Sequence, residues 1–180
     1  MKRYLDTVIL GLGIFFFCFG IYLVYERQTI KVFTYPSVIS KSQSPTPIKL
    51  EIPSIKLSLP VHSATIENGK WPITTEGLSY LKSTPYPGEL GNALFYGHNW
   101  PNLLGNLEDI KVGDDIIITN QSGHTFTYTV HFISIVKPTD THIFQNTPDY
   151  RLTLYTCTGF LDTKRLVVTA ILLPPTITAK

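Results

Sequence analysis

Cysteine is scarce in this chain: only Cys18 and Cys157 occur in 180 residues. The first lies in a lipid-like stretch and the second in a polar-flanked strand, so pairing them makes no spatial sense and a disulfide framework is excluded. Charge is sparse and nearly balanced. Lysine and arginine number 15 against 13 aspartates and glutamates, a net of +2 with 16% charged residues. No basic run is interleaved with aromatics, which removes the footprint of nucleic-acid binding. Helical periods are missing after the first thirty residues. Thirteen prolines leave little room for long helices, and the later segments show at most one or two helical turns, near Leu103 to Leu107. No internal repeat is present. What remains is 43% apolar residues, enough to build a real core and to exclude wholesale disorder.

One long apolar run stands out. From Thr7 to Tyr25 the sequence TVILGLGIFFFCFGIYLVY carries no charge, and a bilayer core about 30 Å thick needs roughly 20 helical residues to span it. Lys2 and Arg3 precede the run, while Glu26 and Arg27 after it cancel. The positive-inside bias therefore predicts a cytoplasmic N-terminus and an extracellular remainder. A cleaved signal peptide is the competing reading. It expects a shorter apolar region and a small-x-small cleavage site, where Tyr-Leu-Val-Tyr-Glu-Arg follows instead. Tyr22 and Tyr25 fit interfacial aromatics, and Cys18 reads as a lipid-facing apolar residue. The expected organisation is an anchor over residues 1–26, an extended Ser- and Pro-rich spacer over 27–47, a folded domain over 48–175 and a tail over 176–180.

Within that domain, short apolar-alternating runs recur between turn residues, at 49–52, 56–59, 93–96, 116–119, 125–130, 152–156 and 165–172. Asn68-Gly69 and Ser122-Gly123 supply the positive φ of tight hairpins. About seven or eight short strands with such turns predict an all-β, closed or nearly closed barrel with one or two short helices.

Taken singly, the candidates for chemistry are ordinary. Cys157 at a strand end matches a buried structural thiol, His98 in TyrGlyHisAsnTrp a polar turn residue, and Arg165 a solvated strand-edge charge. Together they supply what a cysteine nucleophile needs: a thiolate, a proton donor for the leaving amine, and a cation for the oxyanion. Cys157 and Arg165 flank one connection, ThrGlyPheLeuAspThrLys, so the strands on either side can be neighbours. An adjacent cation also lowers a thiol's pKa. His62, His124, His131 and His142 stand at no metal-ligand spacing, and Glu108, Asp109, Asp114 and Asp115 read as solvated acids beside a turn, so no metal site and no cofactor are expected.

These segments resemble the sortases. ThrLeuTyrThrCys at 153–157 is similar to the family's TLxTC segment, and ArgLeuValVal at 165–168 to its arginine-bearing last strand. ProGlyGluLeuGlyAsnAlaLeuPheTyrGlyHis at 87–98 resembles the segment carrying the family histidine, and LysValGlyAsp at 111–114 also fits. The order covers roughly residues 48–172. The resemblance implies an eight-stranded barrel in which Cys157 attacks the carbonyl of a Thr-Gly bond in an LPXTG-like sorting signal and forms a thioacyl intermediate. It implies that His98 exchanges protons with the leaving and incoming amines, and that Arg165 stabilises the oxyanion. Thr156 and Thr158 are the expected substrate contacts. The partners implied are a surface protein bearing the signal, an amine acceptor on a cell-wall peptide or a lysine, and membrane lipid at the N-terminal helix, with slow hydrolysis where water replaces the amine. Asn99 and Trp100 depart from the small polar or basic residues of many relatives, which bears on acceptor choice.

Three readings compete. An exported cysteine L,D-transpeptidase calls for a Ser-x-Gly-Cys segment where ThrLeuTyrThrCys stands. A non-catalytic membrane-tethered β-domain has no need of Cys157, His98 and Arg165 together. A pilus-assembling relative commonly carries a second transmembrane helix, and the residues after Leu173 are short and polar.

Overall fold

The computed structural model describes residues 11–22, 45–67 and 69–172. The helix and the barrel belong to separate compact units and are taken individually. Residues 11–22 form a helix with every side chain exposed. No helix among the described residues is long and apolar enough to cross a membrane. The expected span from Thr7 to Tyr25 runs past both ends of this helix, so its remaining residues and most of the spacer lie outside the described ones.

The second unit is a closed barrel of eight strands: β1 (Pro47–Ile52), β2 (Leu57–Ala64), β3 (Leu78–Leu81), β4 (Gly91–Gly97), β5 (Asp115–Asn120), β6 (Thr125–Val136), β7 (Tyr150–Thr158) and β8 (Lys164–Ile171). Around the barrel the order is β1-β2-β3-β4-β7-β8-β6-β5, and β5 returns to β1. The β2–β3 and β4–β7 pairs are parallel; the others are antiparallel. Among the described strands, closure leaves no sheet edge open.

Alternation sorts the side chains. Leu57, Leu59 and Val61 of β2 enter the core while the residues between them are exposed. Leu50, Ile52, Leu78, Tyr80, Ala93, Phe95, Ile116, Ile118, Leu152, Leu154, Leu166 and Val168 fill the barrel interior with them. Burying each such side chain contributes on the order of 1.5–3 kcal/mol before chain entropy is subtracted.

β4 does not alternate: all seven of its residues are buried. Ala93 and Phe95 face the interior. Leu94 and Tyr96 face outward into a second cluster with Ala64, Leu81 and Phe144, joined by Trp71 and Tyr155. A strand covered on both faces reads as a continuous apolar run. β3 is likewise buried in all four residues, and it lies outside the apolar runs expected from the sequence.

Two further differences from the expected pattern have local causes. Gly69 has φ 75 and lies in a turn closed by the Glu67–Lys70 bridge. That turn is an excursion within the β2–β3 connection, because those strands run parallel; Asn68 itself lies outside the described residues. Ser122-Gly123 does join the β5–β6 hairpin, with Gly123 at φ 78 and the Asn120 carboxamide oxygen accepting the N–H groups of Ser122 and His124. The helical turns expected near Leu103–Leu107 take the form of a 3-10 helix over Gly105–Asp109.

Candidate active site

Three strand ends meet at one end of the barrel. In the parallel β4–β7 pair, Gly97 stands opposite Thr156, so His98, the next residue after β4, reaches the level of Cys157. In the antiparallel β7–β8 pair, Cys157 stands opposite Arg165. Directly opposed side chains on one face have Cβ atoms about 5 Å apart, and neighbouring strands lie about 4.8 Å from each other.

The face is settled by alternation. Leu152 and Leu154 on β7, and Leu166, Val168 and Ala170 on β8, point into the barrel core. Cys157 and Arg165, one step out of phase with them, face outward. On β4, Phe95 is interior and Tyr96 exterior, so His98 falls on the outer face too. All three side chains are partly exposed, and the Cys157 thiol is not in a disulfide.

Arg165 is held firmly. Its Nη1 donates to the Asp162 carbonyl at 2.7 Å and to the Lys164 carbonyl at 2.8 Å, and its Cζ lies 6.0 Å from the centre of the Tyr155 ring. Burial raises the Tyr155 phenol above its ordinary value, and the Arg165 charge opposes that rise. The five-residue β7–β8 connection that presents these carbonyls is tightly wound. Gly159, Leu161 and Asp162 all have positive φ, at 78, 52 and 57, and for leucine this conformation is a strained one. His98 is held by its main chain, whose carbonyl accepts the Leu104 N–H at 3.0 Å, and by a ring stack on Trp100.

Thr156 and Thr158, expected as substrate contacts, have the opposite phase from Cys157. Thr156 is 2% exposed and its hydroxyl donates to the Gly97 carbonyl at 2.9 Å. Thr158 is also buried, and its hydroxyl donates to the Glu108 carboxylate. Their side chains thus pin β7 to β4 and to the 3-10 helix on either side of Cys157. The acids near that helix have other partners: Asp114 accepts the Lys111 N–H at 2.9 Å and Asp115 the Thr129 hydroxyl at 3.2 Å. Among the described residues no three of His, Cys, Asp and Glu come together as a metal cluster.

Sequence reading missed a latch on the outer face of the barrel. Asn92, 2% exposed on β4, donates through Nδ2 to the carbonyls of Ile143 and Gln145 at 3.0 and 3.3 Å. Its Oδ1 accepts the Thr153 hydroxyl at 2.7 Å, and its N–H is taken by the Asn146 side chain at 3.1 Å. The β6–β7 connection is thereby latched across the outer faces of β4 and β7. The available signal was a lone carboxamide at the head of an otherwise apolar strand, which must find partners when buried.

The Sortase domain family matches this chain over residues 50–173. The chain belongs to the sortase family. Solved sortases agree with it in fold. Sortase A from Corynebacterium diphtheriae is 32% identical with a TM-score of 0.63, over 75% of this chain and 64% of that one; the match thus spans less than two thirds of that relative. Sortase C-1 from Actinomyces oris is 31% identical over 71% of this chain and 73% of its own, with a TM-score of 0.60. Sortase C1 from Streptococcus suis is 28% identical over 75% and 77%, with a TM-score of 0.61. No curated protein matches the chain significantly. Sortases are cysteine transpeptidases, and Cys157, His98 and Arg165 of this chain lie at neighbouring strand ends of the barrel.

Proposed function

We propose that this protein is a membrane-anchored transpeptidase that cleaves a Thr-Gly bond in an LPXTG-like sorting signal. It passes the acyl group to an amine on the cell wall or on another surface protein. The observation that carries the reading is the common outward face of Cys157, His98 and Arg165 on three neighbouring strand ends.

The Cys157 thiolate attacks the threonine carbonyl carbon, and the oxygen takes up negative charge that the Arg165 guanidinium stabilises. His98, as the imidazolium, donates a proton to the glycine nitrogen; the C–N bond breaks and a thioacyl-enzyme remains. An incoming amine then gives a proton to His98 and displaces the thiolate. Arg165 suits this role because two main-chain carbonyls fix its guanidinium plane before substrate arrives, so little reorganisation is needed in the transition state. The uncharged run from Thr7 to Tyr25 supports a single-pass anchor with the N-terminus in the cytoplasm and the barrel outside. There the enzyme meets exported substrates retained at the same membrane.

The test is cleavage of a quenched LPXTG-type peptide by the full chain in detergent, with an amine acceptor present. Turnover in the wild type, reduced by about 10³-fold or more in Cys157→Ala and His98→Ala and redirected by added amine, is the expected result. An intact peptide, together with a Cys157 thiol that titrates near its ordinary pKa of about 8.5, favours a non-catalytic tethered domain.

A further inference from the structure

One residue touches both flanks of the site, and the chemistry above gives it no part. Asp162 lies in the β7–β8 connection, where its carbonyl accepts a bond from Nη1 of Arg165 at 2.7 Å. Its carboxylate accepts one from Nδ2 of Asn99 at 3.2 Å, and Asn99 directly follows His98. β4 and β8 are not neighbours in the barrel; β7 runs between them. The Asn99–Asp162 bond therefore ties the segment after β4 to the segment before β8, across the end of the strand that carries Cys157. Apolar packing does not account for the shape of this connection, since Phe160 is 84% and Leu161 72% exposed. Its backbone is also costly. Leu161 and Asp162 take left-handed φ values of 52 and 57 in succession, a conformation that a Cβ disfavours. The Asp162 N–H donates to the Gly159 carbonyl at 3.2 Å and the Thr163 N–H to the Phe160 carbonyl at 3.3 Å, which closes the turn on itself. The bond from Asn99 then fastens the closed turn to the end of β4.

We propose that Asp162 is a positioning residue which, paired with Asn99, keeps His98 and Arg165 in one fixed arrangement about Cys157. The proposal rests on the transpeptidase reading. In that reaction the guanidinium must meet the carbonyl oxygen while the imidazole meets the nitrogen of the same amide. The two groups stand on different strand ends, so their relative placement depends on a link between those ends. Asp162 is that link: its main chain orients Arg165 and its side chain holds the segment that begins at His98. A misplacement of about 1 Å can cost on the order of 10²-fold in rate. Contacts with parts of the donor peptide remote from the scissile bond do not depend on this alignment, so its loss falls on kcat and spares KM.

The experiment measures kcat and donor KM for the full chain in detergent, with a quenched LPXTG-type peptide and an amine acceptor. Asn99→Ala removes the donor of the bond. Asp162→Gly removes the carboxylate and accepts a left-handed φ without strain, so the connection can still form. Each is expected to lower kcat about tenfold with donor KM within about twofold of wild type, and the double variant should be no slower than either single, because both remove the same bond. Asn99→Asp sets two carboxylates against each other and should be slow as well. Adding Asp162→Asn to it rebuilds the bond with donor and acceptor exchanged, and kcat should return to within about threefold of wild type. Losses that multiply in the double variant, or an exchanged pair as slow as Asn99→Asp alone, overturn the coupling while wild-type turnover upholds the transpeptidase reading. Absence of turnover and of any thioacyl adduct on Cys157 in the wild type, read by mass spectrometry, overturns both.

Discussion

Cys157 on β7 and Arg165 on β8 are direct cross-strand partners, and the Arg165 guanidinium is braced by the carbonyls of Asp162 and Lys164 at 2.7 and 2.8 Å. A lysine at 165 keeps the charge but loses the planar guanidinium, whose Nη1 alone holds both carbonyls while its other nitrogens remain as further donors. Arg165→Lys is expected to lower kcat/KM by about 10²-fold, comparable to removal of one oxyanion donor. Its urea midpoint should stay close to wild type, because the side chain is partly exposed. Steady-state kinetics beside a denaturation curve decide this; full activity in the lysine variant removes Arg165 from oxyanion binding.

Thr156 tests whether its hydroxyl serves the substrate or the strand. Because it donates to the Gly97 carbonyl at 2.9 Å from a buried position, Thr156→Val should cost roughly 1–2 kcal/mol of stability. By loosening β4 against β7 it should lower kcat while leaving KM for the donor peptide near wild type. A rise in KM at constant kcat instead makes Thr156 a substrate contact.

The Asn92 latch predicts a coupled loss. Asn92→Ala removes two donors to the β6–β7 connection and an acceptor for Thr153, leaving buried polar groups without partners at a cost of about 2–4 kcal/mol. The connection over residues 137–149 should then become the first site of limited proteolysis, and KM for the donor peptide should rise. A variant cut elsewhere and at the wild-type rate contradicts the latch.

Stability should fall in alkali. Burial pushes the phenols of Tyr128 and Tyr96 up to about 12 and raises those of Tyr80 and Tyr155. In the unfolded chain a phenol loses its proton near pH 10, so above that pH the unfolded state binds fewer protons than the native one. The contribution is complete below about pH 10 and is lost as pH rises toward 12, on the order of 2 kcal/mol for each of Tyr96 and Tyr128. Urea midpoints compared at about pH 8 and pH 11, with phenolate absorbance followed in parallel, check this. An unchanged midpoint shows that these phenols ionise without unfolding.

Much of the barrel was legible in the sequence because period-two alternation and turn glycines are local signals: Leu57, Leu59 and Val61 announce β2, and Ser122-Gly123 announces the β5–β6 hairpin. β3 was not, because its four residues, Leu-Ser-Tyr-Leu, are too few for a period to show. The extension of β6 to Val136 lay hidden for a related reason, since a register shift between Val130 and Phe132 breaks its phase.

The candidate site divides in the same way. Sequence alone singled out Cys157, His98 and Arg165 as the candidates, through the resemblance of the segments that carry them. Only the tertiary structure decided that they share an outward face, that Thr156 and Thr158 turn inward to brace it, that Trp100 stacks on His98, and that Asn92 latches the β6–β7 connection. The physical reason is that a side chain's direction depends on strand phase and on pairing between segments distant in the chain. Gly97 meets Thr156 across 59 residues and Asn99 meets Asp162 across 63, and no local pattern encodes contacts of that separation.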